Sequence, residues 1–272
     1  MPELPEVEIY RQYLEASSLH QPIEHLDVED PKLLTTDFPI LYEKLAGRSF
    51  TGTRRVGKNL FVFTDKPDVI LHMHFGMTGD LAYYHASLDR PRYARIVFYF
   101  SSSYNLGFIC PRKFERIGLV DDVDTYLKRK KIGRDGLDVS LSELTAQIQS
   151  RDALIKPVLM DQRTVAGLGN WIVDEVLFQA RVHPEQRTRT LTDGQLAALY
   201  EAVRLVLLTA IRHEASYRRF PADFLIHARR WDDSPYEDPE AHNYCPRCGT
   251  PIRKLEVGGR TTYFCPSCQR IE

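Results

Sequence analysis

The sequence predicts an α+β, multidomain chain, and three observations predict it. Residues from about 20 to 120 are dominated by β-branched and aromatic runs broken by Gly, Asp, Asn and Pro, the pattern of short strands. From Ser140 to Tyr217 apolar residues recur instead at helical spacing. Near the C-terminus two C-x-x-C pairs enclose a stretch of hairpin character. Strands first and helices later imply separate regions, and 272 residues are enough for two or three domains.

The first element is a helix. "LPEVEIYRQYLEASSL" is amphipathic, with Pro5 in a first-turn position and Glu6 and Glu8 favouring its N-terminal end. "SFTGTRRVGKNLFVFTD", "DVILHMHFGMTGDLAYYH", "ARIVFYF" and "NLGFICP" then read as strands, and in succession they predict an antiparallel β-sandwich. "VDTYLKRKKIGRDGLD" reads as the crossing to the second region. There "LSELTAQIQSRD", "ALIKPVLMDQ", "NWIVDEVLFQA" and "DGQLAALYEAVRLVLLTAIRHEA" are the expected helices. "WDDSPYEDPEAHNY", rich in Pro and Asp, reads as a linker.

Composition is that of an ordinary globular protein, 43% hydrophobic and 27% charged. No apolar run of transmembrane length and no secretory leader are read in the sequence, so the expected compartment is the cytoplasm, without a membrane partner. The net charge of -1 does not by itself mark a nucleic-acid binder. Its distribution is uneven: residues 1–40 carry nine acidic side chains against two basic ones, whereas "LKRKKIGR", "SYRRF" and "HARR" are locally basic. Such runs are compatible with a polyanion partner and equally with solvated surface.

Four motifs carry chemistry. In "CPRCGTPIRKLEVGGRTTYFCPSC", Cys245 and Cys248 form one pair and Cys265 and Cys268 the other, with sixteen residues between. Four thiolates at this spacing suit one tetrahedral, structural zinc ion. Arg260, beside the glycine turn, is either merely exposed or a phosphate fork. Cys110, far from these pairs, reads as a free and partly buried thiol. In "KPVLMDQRTVAGLGNWIVDEVLF" a Gly-bearing turn precedes Asn170, which reads equally well as an N-cap and as a phosphate donor at a helix start. Lys58, after a glycine and before a strand, reads alone as an exposed turn lysine. The loops "HFGMTGDL" and "CPRKFERIG" offer Met77, Arg112 and Phe114: ordinary packing taken singly, but together the apolar wedge and cation that fill the gap left by a flipped base.

These pieces occur in one order: "MPELPEVE", "GKNL", "HFGMTG", "PRKF", "GLGN" and the four-cysteine hairpin with "GGRTTYFC". The combination resembles the Fpg/Nei family of DNA glycosylase/AP lyases, the formamidopyrimidine-DNA glycosylase branch in particular. The resemblance spans nearly the whole chain. It implies an N-terminal catalytic β-sandwich domain at 1–130, a helix–two-turn–helix DNA-binding domain at 131–235 and a four-cysteine zinc finger at 236–272, with damaged double-stranded DNA in the cleft between them. It also implies a monomer with no nucleotide cofactor, bacterial and nucleoid-associated. By the same resemblance Pro2, N-terminal after removal of Met1, is the nucleophile, Glu3 the acid that opens the sugar, and Lys58 a catalytic contact to the phosphate near the lesion. Asn170 and Arg260 bind phosphate, Met77, Arg112 and Phe114 fill the void, and Lys156 and Glu6 lie near the lesion.

The chemistry of the opening follows. A lysine amine, with a pKa of about 10.4, is roughly 0.1% neutral at about pH 7.4, whereas a chain-terminal amine, at about 7.7–8.0, is neutral to tens of per cent. A terminal secondary amine gives an iminium ion with the sugar C1′, an electron sink that drives strand cleavage by β,δ-elimination. Two positions depart from the family pattern: Glu115 stands where glycine is expected and Cys110 where aspartate is expected. In "EASYRRFPADFLIHARRW" the stretch from Phe220 to Arg229 is short for a loop that closes over a flipped 8-oxoguanine, so the expected lesion range is broad. The competing expectations are a zinc-containing damaged-DNA-binding protein without turnover, a zinc-ribbon interaction module on an unrelated enzyme and, within the enzymes, endonuclease VIII-like specificity for oxidised pyrimidines.

Overall fold

The computed structural model describes residues 2–229 and 243–271, so most of the stretch read as a linker lies outside the described residues. The chain divides into two compact units, Met1–Lys131 and Ile132–Glu272.

The first unit opens with helix α1 (Leu4–Ser18), followed by β1 (Ile23–Val28), α2 (Phe38–Leu45), β2 (Phe50–Val56), β3 (Asn59–Thr64), β4 (Ile70–His74), β5 (Asp80–His85), β6 (Ala94–Phe100), β7 (Tyr104–Ile109), β8 (Arg116–Val120) and α3 (Val123–Lys130). The strands form two antiparallel four-stranded sheets, ordered β1-β6-β7-β5 and β2-β3-β4-β8. Alternation explains how they share a core. Leu60 and Val62 of β3 and Leu71 and Met73 of β4 join Ile96, Phe98 and Phe108 of the other sheet in one apolar cluster. Val7 and Leu14 of α1 enter the same cluster. On the opposite face of β3 and β4, Phe61 and His72 are covered by Tyr126 of α3, whose ring lies 5.6 and 4.6 Å from theirs. His72 is therefore enclosed; burial first, then the charges of His74 and Lys130, push its pKa down to about 3, and the ring is neutral against Asn59 Oδ1 at 3.0 Å.

Two elements of this unit differ from the sequence reading. Residues 38–45 form a helix within the run read as strands, because Asp37 and Pro39 start it and Leu41 and Leu45 bury its inner face. "VDTYLKRK", read as a crossing, is α3, started by the Asp122 side chain accepting from the Thr125 N–H at 2.8 Å.

The second unit contains α4 (Leu141–Gln149), α5 (Ile155–Met160), α6 (Asn170–Gln179), α7 (Asp193–Arg212) and the hairpin β9 (Arg253–Val257) and β10 (Arg260–Phe264). Capping boxes at Ser140/Glu143 and Thr192/Gln195 start α4 and α7. Contrary to the sequence reading, α7 is long and apolar enough by composition to cross a membrane. It packs against α4 and α6 and buries Leu196, Leu199, Val203, Val206 and Leu207, as a core helix does. The hairpin closes through Gly258 and Gly259, at φ +60° and +73°, the two left-handed positions of a tight hairpin turn. A side chain at Gly258 would meet Pro157 Cγ at 2.7 Å, so the hairpin tip lies directly on α5.

Phe50 is the measure of the sandwich: fully buried, it meets Phe98 at 5.5 Å and Phe100 at 6.1 Å between ring centres. Phe50→Ala should cost ~3–5 kcal/mol of unfolding free energy, read from urea titration, with zinc content unchanged.

Candidate functional site

In the first unit three of the candidate residues, Pro2, Glu3 and Glu6, lie at the start of α1. Glu3 is its N-cap and closes a capping box with Glu6, whose Oε2 accepts from the Glu3 N–H at 3.0 Å. Pro5 occupies the first turn, as expected. Glu3 is only 2% exposed and Pro2 is buried, so this end is built into the fold instead of fraying. Glu6 thus has a structural duty at the N-cap besides any part near a lesion.

Lys58 sits in the two-residue turn between β2 and β3, after Gly57 at φ +59°. It is 9% exposed, not the exposed turn lysine that the local sequence reads as. Arg55 links this turn to α1: its Nε donates to Glu8 Oε2 at 2.9 Å and its Nη1 to the Gly57 carbonyl at 3.1 Å. Burial pushes the Glu8 pKa up, but the hydrogen bonds from Arg11 and Arg55 outweigh it and hold the carboxyl below its ordinary value. His74 lies close enough to Lys58 to feel its charge; burial first, then Lys58 and Arg116, lower its pKa.

Met77 lies on the β4–β5 loop and Arg112 and Phe114 on the β7–β8 loop, and all three are exposed, Met77 by 38% and Phe114 by 54%. The loops adjoin: a side chain at Gly76 would stand 2.6 Å from the Phe114 carbonyl carbon. Tyr10 of α1 braces the first loop, donating its O–H to the Gly79 carbonyl at 3.1 Å with its ring 4.5 Å from Phe75. Lys113 braces the second, at φ +59° with its ammonium 2.7 Å from Asp30. The two departures, Cys110 and Glu115, are both fully buried. Burial, and then the charge of Glu115, push the Cys110 thiol well above its usual range.

In the second unit the glycine turn before α6 is held by Gln162. Its Nε2 donates to the Met160 and Leu168 carbonyls at 2.9 and 2.7 Å, and its Oε1 accepts from the Gly167 N–H at 2.9 Å. The N-cap is Gly169, not Asn170, which is the first helical residue. The Asn170 Nδ2 is thereby left to donate to the Thr261 carbonyl at 3.0 Å, next to the exposed Arg260 of the hairpin tip.

Lys156 joins the same hairpin to the helices. It is 0% exposed, and its ammonium donates to Asp174 Oδ1 at 2.7 Å, Thr262 Oγ1 at 2.7 Å and the Thr261 carbonyl at 3.0 Å. These three donations tie the hairpin to α5 and α6. Asp174 also accepts from the Tyr263 N–H at 3.3 Å and pairs with Arg229 at 3.4 Å; burial raises its pKa against these partners. Glu175 beside it accepts from the Leu225 and Ile226 N–H groups, each at 3.0 Å. The sequence reasoning passed over both acids. Their signal is an Asp-Glu pair inside the apolar run "NWIVDEVLF", which no solvent-facing helix stripe explains.

The four zinc-finger cysteines place their Sγ atoms within 4.8 Å of one another, and none forms a disulfide. Cys248 Sγ lies 3.5 Å from both Cys265 and Cys268, and Cys245 lies 3.9 Å from Cys268. Zinc–sulfur bonds of about 2.3 Å in a tetrahedron require sulfur–sulfur edges of about 3.8 Å, so the set fits one structural zinc ion with all four positions filled by protein.

Sandwich, helix–turn–helix pair and four-thiolate hairpin correspond in order to three family models. Residues 1–117 match the formamidopyrimidine-DNA glycosylase N-terminal domain, 132–221 its H2TH domain, and 245–271 the zinc finger found in FPG and IleRS. The chain belongs to the formamidopyrimidine-DNA glycosylase family. It is 35% identical over 278 residues to the formamidopyrimidine-DNA glycosylase of Pelotomaculum thermopropionicum, with 100% of each chain covered. Among solved structures, the Lactococcus lactis enzyme non-covalently bound to DNA containing an AP site superposes with a TM-score of 0.86 at 30% identity, covering 98% of this chain and 99% of that one. A mutant of the same enzyme with DNA containing Fapy-dG gives 0.86 at 31%, covering 99% and 100%. These relatives favour the formamidopyrimidine branch over the endonuclease VIII-like alternative.

Glu175 makes a pH prediction. Complete burial raises its pKa, and the partners Gln179, Leu225, Ile226 and Arg229 pull it back to about 7, still above the ordinary 4.5. The folded state thus binds this proton more tightly than the unfolded state. The group costs nothing below about pH 4.5, and stability falls as pH rises towards about 7, beyond which the loss is complete. Urea unfolding at intervals from pH 5 to 8 should show this decline, and Glu175→Gln should flatten it.

Proposed function

We propose that the protein is a bifunctional DNA glycosylase and abasic-site lyase of base-excision repair, removing oxidised and ring-opened bases. The observation that carries this reading is the enclosure of Pro2 and Glu3 at the capped start of α1, where a chain end would otherwise fray. With Met1 removed, the Pro2 amine attacks the sugar C1′ and the bond to the damaged base breaks, the base leaving with a proton. Glu3 donates a proton to the ring oxygen and the sugar opens to an iminium ion. Loss of the 2′ proton expels the 3′ phosphate, a second elimination expels the 5′ phosphate, and hydrolysis of the imine returns Pro2.

Lys58, Asn170 and Arg260 hold phosphates, Met77, Arg112 and Phe114 occupy the space vacated by the flipped nucleotide, and Glu6 lies near the lesion. Zinc keeps the hairpin folded and takes no part in bond breaking. The protein acts as a monomer on double-stranded damaged DNA, in the bacterial cytoplasm at the nucleoid.

Borohydride reduction in the presence of abasic-site DNA should trap a covalent adduct at residue 2, and mass spectrometry should find Met1 absent. Glu3→Gln should suppress excision of an intact damaged base far more than cleavage at a preformed abasic site, since only the first requires the glycosidic bond to break. Binding without trapping or strand nicking would leave a non-catalytic damage binder instead.

For lesion choice, we propose a preference for ring-opened purines, oxidised pyrimidines and abasic sites over 8-oxoguanine. Phe220, Phe224, Leu225, Ile226 and Arg229 are all buried, and Glu175 fixes two of their N–H groups, so most of this stretch is committed to the interior of its unit and only Pro221, Ala222 and Asp223 are exposed. A segment so committed has little surface with which to read a flipped base. Single-turnover excision of a ring-opened purine should exceed that of 8-oxoguanine opposite cytosine; equal rates would reject the preference.

A further inference from the structure

The two loops that carry Met77 and the Arg112–Phe114 pair are joined at their base by a carboxylate that neither the phosphate contacts nor the catalytic end uses. Glu115 is 0% exposed although it directly follows Phe114, among the most exposed aromatic side chains described. Its Cγ would stand 2.8 Å from a side chain at Gly79, so it reaches across and lies against the far end of the Met77 loop. There its Oε1 accepts from the Thr78 hydroxyl at 3.3 Å. Its Oε2 is buried with no hydrogen-bond partner among the described residues. Its own loop is fixed from the other side: Arg116 Nη1 donates to the Glu115 carbonyl at 2.6 Å and to the Lys113 carbonyl at 3.1 Å, and Lys113 reaches Asp30.

An enclosed carboxylate with one oxygen unsatisfied costs folding free energy, and an apolar side chain of similar volume would serve the core better. Packing alone therefore does not account for Glu115. What the carboxylate supplies is a polar link between two loops that are far apart in sequence. We propose that Glu115 is a positioning residue which, through Thr78, couples the two loops so that Met77, Arg112 and Phe114 enter the duplex as one preformed block. This rests on the reading of those three side chains as the groups that fill the void. Two loops tied together lose less conformational freedom on insertion than two loops that each order separately.

The test uses Glu115→Met, which keeps volume and removes the carboxylate, Thr78→Val, which removes the donor, and Met77→Ala. Each full-length protein is given a ring-opened purine in duplex DNA and, separately, an abasic site in single-stranded DNA, where no base stack has to be replaced. A 2-aminopurine opposite the lesion reports unstacking. Glu115→Met and Thr78→Val should each slow duplex excision and the 2-aminopurine rise by ~5-fold or more. Both should retain single-strand cleavage within about twofold of wild type and an unchanged or higher Tm. Duplex excision unaffected in both, with Met77→Ala impaired, would overturn the coupling while leaving the void-filling reading intact. Duplex excision unaffected in Met77→Ala would instead overturn that reading. A parallel loss of both activities with a lowered Tm would show Glu115 to be an ordinary structural residue. If Glu115→Met fails to fold, Thr78→Val decides.

Discussion

The first turn of α1 must do two things at once. It has to be an ordinary helix start, with its orphan N–H groups satisfied, and it has to hold residue 2 still. Glu3 and Glu6 meet the first demand by capping each other, and in doing so they fix the backbone immediately after Pro2. The rest of the unit depends on where that turn is placed. Val7 and Leu14 seat the helix in the core, Glu8 carries its position through Arg55 to the Lys58 turn, and Tyr10 carries it to the Met77 loop. One helix thus serves as the common reference for the proposed nucleophile, a cationic side chain and the proposed apolar wedge. Alteration of the α1 seat should for that reason disturb all three together.

The second unit is organised by buried charge. Lys156, Asp174 and Arg229 would each be expensive to enclose alone, and Lys156 and Asp174 meet Thr262 and Tyr263 only with the hairpin seated on the helices. Asn170 reaches the same hairpin strand at Thr261, beside Arg260. The placement of the phosphate candidates is thereby set by a network that touches no phosphate. Zinc holds the far end of the hairpin, and Gly258 against Pro157 holds its tip. Metal, ion pair and glycine contact act on one small element too short to be stable alone.

Much of this was legible in local sequence. Strand alternation in the first region, helical spacing in the second and turn glycines at the hairpin tip are nearest-neighbour signals, and the structure follows them. The exceptions are elements whose local signal was outweighed. Residues 38–45 sit within strand-like sequence but are started by Asp37 and Pro39, and α3 is so rich in Lys and Arg that only its cap and Tyr126 betray it. For the candidate site, the order of motifs identified which residues to examine. It did not give their exposure: Lys58 and Glu3 are buried, Met77 and Phe114 are not.

By itself the sequence determined most of the elements, the thiolate set and the helix start at Pro5, because each rests on residues within a few positions of one another, or on a spacing that one short hairpin can close. The tertiary structure alone decided what Lys156, Asp174, Glu175 and Glu115 do. Lys156 meets Thr262, which lies 106 residues further along the chain, and Thr78 meets Glu115 across 37. Whether a charged side chain faces solvent or a buried partner depends on desolvation by segments remote in sequence, and no local pattern encodes which segments those are.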